Sequence, residues 1–394
     1  MATIICPNCG KSIPESSTIC PNCGYHLTPT KAEDISQKSK DKGEFQGQGR
    51  FAHLKKIGRS LVKQRWFISL SGILFFCVLF GVSYQYQLHK QEMRIQRELS
   101  QAIKSLRHEN QVAATHGQSI QEPASKVPQN SKRPILLLHG FGGSYNSERY
   151  ISASLVQTHL AKQQLMVYVD RSSRIHLIGK YQPSASHKVV IPIVIKNNHA
   201  GEIYYSAMLA KIMPRLNRRY HIKSYDAVGH SMGSYAWINY FETHPKQVAQ
   251  IKPHRVVTIA GPFNGILDRH KPDQPIFKSK VGRLWDDQVG ENSLDKNGRP
   301  KIERAEFKHL LKYKHRLPAG LDILNIYGNL KDGTDSDGLV TTTSARSLGY
   351  LVKTSHVKVG YQESQVTGPK AQHSLLHYNN LKVNHLIKDF LLYK

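Results

Sequence analysis

The chain has 394 residues, of which 39% are hydrophobic and 21% are charged, enough to build a large core and to exclude a wholly disordered protein. The formal net charge is +27, and residues 132–394 contribute +19 of it, with 38 Lys and Arg against 19 Asp and Glu. Such a charge favours an anionic neighbour, namely lipid headgroups, a wall polymer or nucleic acid, and a role in solubility is the alternative.

The first 26 residues contain two Cys-Pro-Asn-Cys-Gly sequences, whose cysteines are Cys6, Cys9, Cys20 and Cys23. Paired Cys-x-x-Cys knuckles hold four thiolates around Zn²⁺, and a module of about 25 residues cannot fold on core burial alone. We predict a structural zinc ribbon over residues 1–26, with two disulfides or a redox pair as alternatives. It resembles the zinc ribbons at the start of many bacterial membrane proteins. Little basic or aromatic surface separates the knuckles, so protein contact is favoured over nucleic-acid binding.

A polar and basic tether, residues 27–65, leads into an uncharged run at residues 66–88. A bilayer core requires about 20 such residues in a helix, and Trp66, Tyr84 and Tyr86 lie where interfacial aromatic side chains belong. A cleaved signal peptide is disfavoured by the long preceding segment and the absence of an Ala-x-Ala-like site. A buried core helix is rarely apolar on all sides. The run therefore predicts one transmembrane helix.

The charges around this run predict its orientation. Five basic residues precede it and outweigh the mixed charges that follow: Lys55, Lys56, Arg59, Lys63 and Arg65. By the positive-inside rule the N-terminus is cytoplasmic, and the residues after the span lie outside the cell membrane. This topology makes an anionic lipid or wall polymer the expected charged partner, and nucleic acid is not expected.

Residues 89–131 separate the predicted span from the large domain. Over residues 87–110, apolar residues recur at roughly helical spacing: Leu88, Ile95, Leu99, Ile103 and Leu106. This pattern predicts a stalk helix, and self-association is an alternative that the short pattern does not decide. Residues 111–131 are rich in Gln, Ser, Pro and Asn, which is typical of a flexible linker.

From residue 132 to residue 394 the chain alternates strand-like and helix-like segments. The apolar runs that predict strands are 133–140, 164–169, 189–195, 225–228, 255–261, 321–328 and 355–359. Residues 201–219 have a helical pattern. Such alternation predicts an α/β fold with a mostly parallel sheet covered by helices on both faces. Ligands on this architecture bind at the carboxyl ends of the strands.

The most specific motif is Gly-His-Ser-Met-Gly at residues 229–233, between a strand-like and a helix-like segment. In this context Ser231 is predicted to be a nucleophile at a sharp strand-to-helix turn. A second motif, His139–Gly143, follows the first strand, where α/β-hydrolases supply a backbone N–H to an oxyanion hole. Phe141 and Met232 are the predicted donors, and an ordinary glycine-rich turn is the alternative for the loop.

The acid of a catalytic triad is expected in the loop after the strand at 321–328. Asp337 is preferred because Gly-Leu-Val follows it, whereas Asp332 and Asp335 are candidate solvated turn residues. A Ca²⁺ site formed by these aspartates is an alternative, although the spacing does not match an EF-hand.

His373 is the predicted base, since it follows the last strand-like run and opens the last predicted helix. His377 is the runner-up, and His385 lies too deep in that helix. The order Ser231, Asp337, His373 is the one this fold requires.

These motifs together resemble a family of bacterial cell-surface α/β-hydrolases, domain-of-unknown-function family 915. The resemblance also includes Gly261–Gly265, Asn325–Gly328 and Ala371–Ser374. It implies an α/β-hydrolase fold with esterase or lipase-like chemistry for residues 132–394. It implies nothing about the zinc ribbon or the span.

Residues 266–320 are an insertion before the acid-bearing strand and are predicted to form a cap. The segment is highly charged, whereas lipase lids usually present a broad apolar face. A polar or short-chain ester, or an acyl group on a wall polymer, is therefore the expected substrate.

The leading hypothesis is a membrane-anchored extracellular serine esterase. The alternatives are an inactive hydrolase-fold sensor or binding protein, and an acyltransferase with the same triad.

Overall fold

The computed structural model describes residues 3–5, 12–14, 81–87, 89–105, 108, 132–267 and 286–393. The chain divides into two compact units, Met1–Phe76 and Cys77–Lys394. In the first unit, strands β1 (Thr3–Ile5) and β2 (Ser12–Pro14) pair in antiparallel fashion. The four cysteines of the predicted zinc site lie outside the described residues.

Among the described residues, the second unit is built around a nine-stranded sheet in which β5 and β6 pair antiparallel and the other strand pairs are parallel. Its strands are β3 (Ile135–Leu138), β4 (Ala161–Gln163), β5 (Leu165–Val169), β6 (Ile175–Gly179), β7 (Lys188–Ile195), β8 (Ser224–His230), β9 (Lys252–Ile259), β10 (Asp322–Asn329) and β11 (Gly360–Thr367). The order across the sheet is β11-β10-β9-β8-β3-β7-β5-β6, and β4 also pairs with β7. The predicted mostly parallel sheet is confirmed.

Helices cover both faces of this sheet. They are α1 (81–87 and 89–105), α2 (Tyr145–Gln157), α3 (Glu202–Tyr220), α4 (Met232–Thr243), α5 (Pro245–Gln250), α6 (Ala305–Tyr313), α7 (Thr342–Lys353) and α8 (Leu381–Lys388). Alternate residues of β3 enter two different apolar clusters, Leu136 and Leu138 on one face, Ile135 and Leu137 on the other. A strand buried on both faces reads as a continuous apolar run, which explains the sequence pattern.

Two predicted elements near the C-terminus differ from the structure. The run 355–359 is not a strand, and the last strand is β11, which pairs only with β10 at the sheet edge. An edge strand is half-exposed, so its polar sequence does not show the apolar pattern. His373 begins a short 3₁₀ helix, His373–Leu376, and the last α-helix starts only at Leu381. Of the predicted cap, the structure describes 266–267 and 286–320, including α6.

The described part of helix α1 includes residues 81–87 of the predicted span, and residues 66–80 and 88 lie outside the described residues. Within the described ranges, no helix combines the length and the apolarity that crossing a bilayer requires. The described part of the predicted stalk, residues 89–105, is helical and packs on the domain. Its apolar positions Ile95, Leu99 and Ala102 are buried in a cluster with Tyr150 and Met166. The helix therefore docks on the hydrolase-fold unit.

A buried ion pair ties the amino-terminal ends of β7 and β8 together. Lys188 Nζ lies 2.5 Å from Asp226 Oδ2, and neither side chain is exposed. We expect Lys188→Met to lower the free energy of unfolding by about 3–5 kcal/mol, since it strands a buried carboxylate. The double variant Lys188→Met/Asp226→Asn should recover part of this loss. Denaturant unfolding measures both variants, and a single variant as stable as the wild type would refute the expectation.

A second buried group makes stability depend on pH. Neither carboxylate oxygen of Glu148 has a hydrogen-bond partner among the described residues, and burial raises the pKa of Glu148 from 4.5 to about 8. Above pH 4.5 the unfolded chain releases the Glu148 proton, whereas the native state keeps it up to about pH 8. The free energy of unfolding therefore falls as the pH rises from 4.5 towards 8.

We expect Glu148→Gln to remove this pH dependence. Relative to the wild type, the variant should gain about 3 kcal/mol in unfolding free energy between pH 5 and pH 8. Unfolding curves of both proteins at the two pH values measure the gain, because titrations that the two share cancel in the difference. If the unfolding free energies of the wild type and the variant changed equally between the two pH values, Glu148 would be ionised in the native protein.

Candidate active site

Ser231 occupies the sharp turn between β8 and α4. Its backbone has φ of 54° and ψ of −124°, a strained conformation for a residue with a side chain. A hydrogen bond of 2.8 Å from Ser231 N–H to the Ile259 carbonyl holds the turn against the end of β9. A Cβ atom on Gly233 would lie 2.5 Å from the Leu138 carbonyl oxygen, so this position requires glycine. The turn thus has the geometry of a nucleophile elbow.

The structure brings the three predicted triad residues into one hydrogen-bonded chain. His373 Nε2 lies 2.9 Å from Ser231 Oγ, and His373 Nδ1 lies 2.8 Å from Asp337 Oδ2. The three residues follow β8, β10 and β11, so they meet at the carboxyl edge of the sheet. All three side chains are buried.

Backbone groups hold the Asp337 carboxylate in place. Its Oδ1 accepts hydrogen bonds from the N–H groups of Leu339 (2.9 Å) and Val340 (2.7 Å). The His373 N–H donates to the Asp337 carbonyl at 2.9 Å. With Oδ1 so engaged, Oδ2 accepts from His373 Nδ1, which places the imidazole proton on that nitrogen and leaves Nε2 to accept from Ser231.

The two competing aspartates stabilise the acid-bearing loop instead. Asp335 accepts hydrogen bonds from Asn329 Nδ2 at 2.5 Å and Thr342 Oγ1 at 2.6 Å, and Asp332 accepts one from Thr334 Oγ1 at 2.6 Å. Over the described ranges, no group of three or more His, Cys, Asp or Glu side chains is arranged to hold a metal ion.

The competing histidines also have other partners. His377 Nδ1 donates to the Ser147 carbonyl at 2.7 Å, and His385 Nε2 lies 3.1 Å from Asp389 Oδ2. Burial lowers the pKa of His377 to about 4. At neutral pH the His377 ring is therefore uncharged. Because His377 and His385 bond to these other groups, neither takes the position of His373 beside Ser231.

His230 was not singled out from the sequence, yet it supports the base. Its Nε2–H donates to the His373 carbonyl at 3.1 Å, and its ring centroid lies 4.8 Å from that of His373. Burial lowers the pKa of His230 well below its usual value, so the ring adds no charge beside His373. The elbow motif leaves the residue before the serine unspecified, and therefore the motif gave no signal for this role.

The His139–Gly143 loop lies directly against the nucleophile. A Cβ atom on Gly140 would come within 2.9 Å of Ser231 Cβ. His139 fixes the loop because its Nε2 accepts from the Ile195 N–H at 3.0 Å and its Nδ1–H donates to the Gly140 carbonyl at 2.9 Å. Phe141 packs edge-on against His199, with ring centroids 4.6 Å apart. The loop is therefore held in one conformation beside Ser231.

Met232, the other predicted donor, is the first residue of α4 and directly follows Ser231. Its side chain is buried in the core. Met232 therefore adjoins the nucleophile in the chain, and Phe141 directly follows Gly140, the residue that lies against Ser231.

Two cap residues, Leu267 and Asp287, form hydrogen bonds with the segment around the acid-bearing loop. The Leu267 N–H donates to the Leu339 carbonyl at 2.8 Å, and Thr341 Oγ1 donates to Asp287 Oδ2 at 2.6 Å. Arg304 Nη2 lies 3.0 Å from Asp287 Oδ1, and this ion pair joins Asp287 to the start of α6. Residues 268–285 of the cap lie outside the described residues.

One similar solved structure has a TM-score above 0.5 and shares this fold. A gene product of Listeria innocua matches with a TM-score of 0.54 at 23% identity, over 66% of this chain and 94% of that chain. A cell surface hydrolase of Lactobacillus plantarum has a TM-score of 0.48 at 22% identity, over 66% and 91% of the two chains. A lipase of Bacillus licheniformis has a TM-score of 0.37 at 13% identity, over 69% and 96%. At 23% identity the likeness to the Listeria innocua structure extends to the fold alone.

The search of curated proteins finds no match. A zinc-ribbon family model matches residues 5–27, so the chain has an N-terminal zinc-ribbon domain. The model of a second family, described as an alpha/beta hydrolase of unknown function (DUF915), matches residues 122–394, and the chain belongs to that family.

Proposed function

We propose that the chain is a serine hydrolase that cleaves ester bonds through Ser231, His373 and Asp337. The observation that carries this proposal is the hydrogen-bonded chain from Ser231 Oγ through the His373 ring to Asp337 Oδ2, at 2.9 and 2.8 Å. Both distances are within the reach that proton transfer requires. An inactive sensor would have no need for this arrangement, so the enzyme is favoured.

The geometry supports a two-step reaction. His373 Nε2 takes the Ser231 proton as Oγ attacks the ester carbonyl carbon, and Asp337 stabilises the imidazolium that forms. His373 then protonates the departing alcohol, and an acyl group remains on Ser231. Water, deprotonated by His373, attacks the acyl-enzyme and releases the carboxylic acid. An alcohol acceptor in place of water would make the same protein an acyltransferase.

The negative oxygen of each tetrahedral intermediate needs hydrogen-bond donors. We assign this role to the backbone N–H groups of Phe141 and Met232, because Met232 directly follows Ser231 and Phe141 directly follows Gly140, which lies against Ser231. Fixed backbone donors stabilise the oxyanion without reorganisation, and losing one such donor typically raises the barrier by about 3–4 kcal/mol.

We further propose that the chain is anchored in the cell membrane by residues 66–88, with the hydrolase domain outside and the zinc ribbon in the cytoplasm. The uncharged run and the basic residues before it support this topology. The charged cap favours a polar or short-chain ester, or an acylated wall polymer, over a triglyceride.

Hydrolysis of p-nitrophenyl acetate and p-nitrophenyl butyrate by the full-length chain tests the activity. We expect release of p-nitrophenol with both substrates and slower turnover of a long-chain ester. Product analysis with an added alcohol distinguishes hydrolysis from acyl transfer. Absence of turnover on every ester in a broad panel would favour the sensor hypothesis.

In the zinc ribbon we assign the metal to the thiolates of Cys6, Cys9, Cys20 and Cys23, a donor set that suits structural Zn²⁺. We expect about one zinc per full-length chain by elemental analysis. Cys9→Ser should lower this content, whereas Cys77→Ser, outside the ribbon, should not. A purified wild-type chain without zinc would contradict the assignment.

A further inference from the structure

An open groove of about 600 Å³ lies where helix α1, strand β6 and the last turns of helix α3 meet. Its walls include Tyr84 of α1, His176 of β6, and Arg215, Arg218 and Arg219 of α3. None of these residues belongs to the candidate active site. The groove therefore needs an explanation of its own.

The three arginines give the groove a concentrated positive charge. Their spacing of three and four residues places them on one face of α3, and all three are exposed. Within the described part of the chain, none of them forms an ion pair with a carboxylate. Planar guanidinium groups with free donors bind phosphate oxygens in bidentate fashion, so the groove suits a phosphate ligand.

The acidic residue beside the groove does not neutralise this charge, because it already has partners. Asp170 Oδ2 lies 2.9 Å from Arg174 Nε and 3.0 Å from His176 Nε2. The arginines of α3 are therefore left to an external anion.

The other wall of the groove points to the membrane as the source of that anion. The Tyr84 hydroxyl forms a hydrogen bond with His176 Nδ1, and Tyr84 lies near the outer end of the predicted span, 66–88. Beside it, Val82 and Tyr86 are 63% and 62% exposed. Tyrosine at the headgroup level next to exposed apolar side chains and cationic residues is typical of a membrane interface.

We propose that this groove binds the phosphate groups of anionic phospholipids and holds the hydrolase domain against the outer membrane surface. The proposal rests on the membrane anchor of the proposed function. The contact between Tyr84 and His176 favours lipid over a wall polymer, because it places the groove at the outer end of the predicted span, where phospholipid phosphates are the nearest anions. The domain would then sit on the bilayer and not at the end of a stalk.

Hydrogen exchange of the full-length chain in vesicles tests this contact. The chain is reconstituted in phosphatidylcholine alone and with about 30 mol % phosphatidylglycerol. Amides in residues 175–179 and 215–223 should exchange about tenfold more slowly in the anionic vesicles, as mass action requires for an occupied site. The variant Arg215→Gln/Arg218→Gln/Arg219→Gln should lose this difference.

A matched variant, Lys301→Gln/Lys308→Gln/Lys312→Gln, removes three exposed cations in and before α6 and should keep the difference. Equal exchange in both kinds of vesicle, or a difference that survives the arginine substitutions, would overturn the proposal. If soluble polyglycerol phosphate slowed amide exchange at the groove and phosphatidylglycerol did not, the groove would be assigned to a wall polymer. That result would also overturn the proposal. Flotation after an alkaline wash and p-nitrophenyl butyrate turnover report the anchor and the esterase separately.

Discussion

Ser231→Ala should lower kcat/KM for p-nitrophenyl butyrate by roughly 10⁴- to 10⁶-fold, the loss typical of removing a triad nucleophile. The variant has no oxygen to attack the ester carbonyl, and the remaining groups can only orient water. The thermal unfolding midpoint should stay near that of the wild type, because the substitution removes one hydroxyl group, whose hydrogen bond joins Ser231 to His373. Steady-state kinetics and thermal unfolding of the purified full-length proteins measure both quantities.

Ser374→Ala is the matched control, because Ser374 adjoins His373 in the sequence but its side chain is exposed. It should retain most of the activity. If Ser231→Ala lost less than about tenfold in kcat/KM, Ser231 would not be the nucleophile of the reaction.

The second large effect is expected at the acid. Asp337→Asn should lower kcat by about 10⁴-fold with little change in KM. An asparagine amide presents a donor to His373 Nδ1, which forces the imidazole proton onto Nε2. Nε2 then cannot accept the Ser231 proton. The backbone N–H groups of Leu339 and Val340 can still donate to the amide oxygen of the asparagine, so the loop should keep its fold.

Asp335→Asn provides the comparison within the same loop. Asp335 bonds to Asn329 and Thr342 and not to the base, so its replacement should cost less than about tenfold in kcat. A larger loss at Asp335 than at Asp337 in single-turnover kinetics would show that the acid of the triad was assigned to the wrong residue.

The order of the three site residues along the chain could be predicted, because parallel strands present their carboxyl ends at one edge of a sheet. The choice among three aspartates could be argued only from the sequence that follows Asp337. What fixes it physically is the pair of N–H groups of Leu339 and Val340, which the Gly-Leu-Val turn directs at the carboxylate. No local pattern could foresee the support that His230 gives to His373, since these residues meet only through the sheet.

Helix α1 shows the same limit. The apolar spacing of Ile95 and Leu99 predicts a helix with one buried face, and that much is confirmed. The spacing does not identify what covers the face, and self-association or a partner on the same chain would produce the same pattern. The actual partners, Tyr150 and Met166, come from α2 and β5. Contacts between segments so distant in sequence depend on topology, and therefore the sequence pattern did not predict that this helix packs on the hydrolase domain.

Labelling with a fluorophosphonate probe tests the central claim most directly, because the probe reacts only with a serine activated by a neighbouring base. Mass spectrometry of the full-length chain should find a single label, on the peptide that contains Ser231. The Asp337→Asn variant should be labelled far more slowly. A wild-type chain that stays unlabelled, or that is labelled on a serine other than Ser231, would contradict the account.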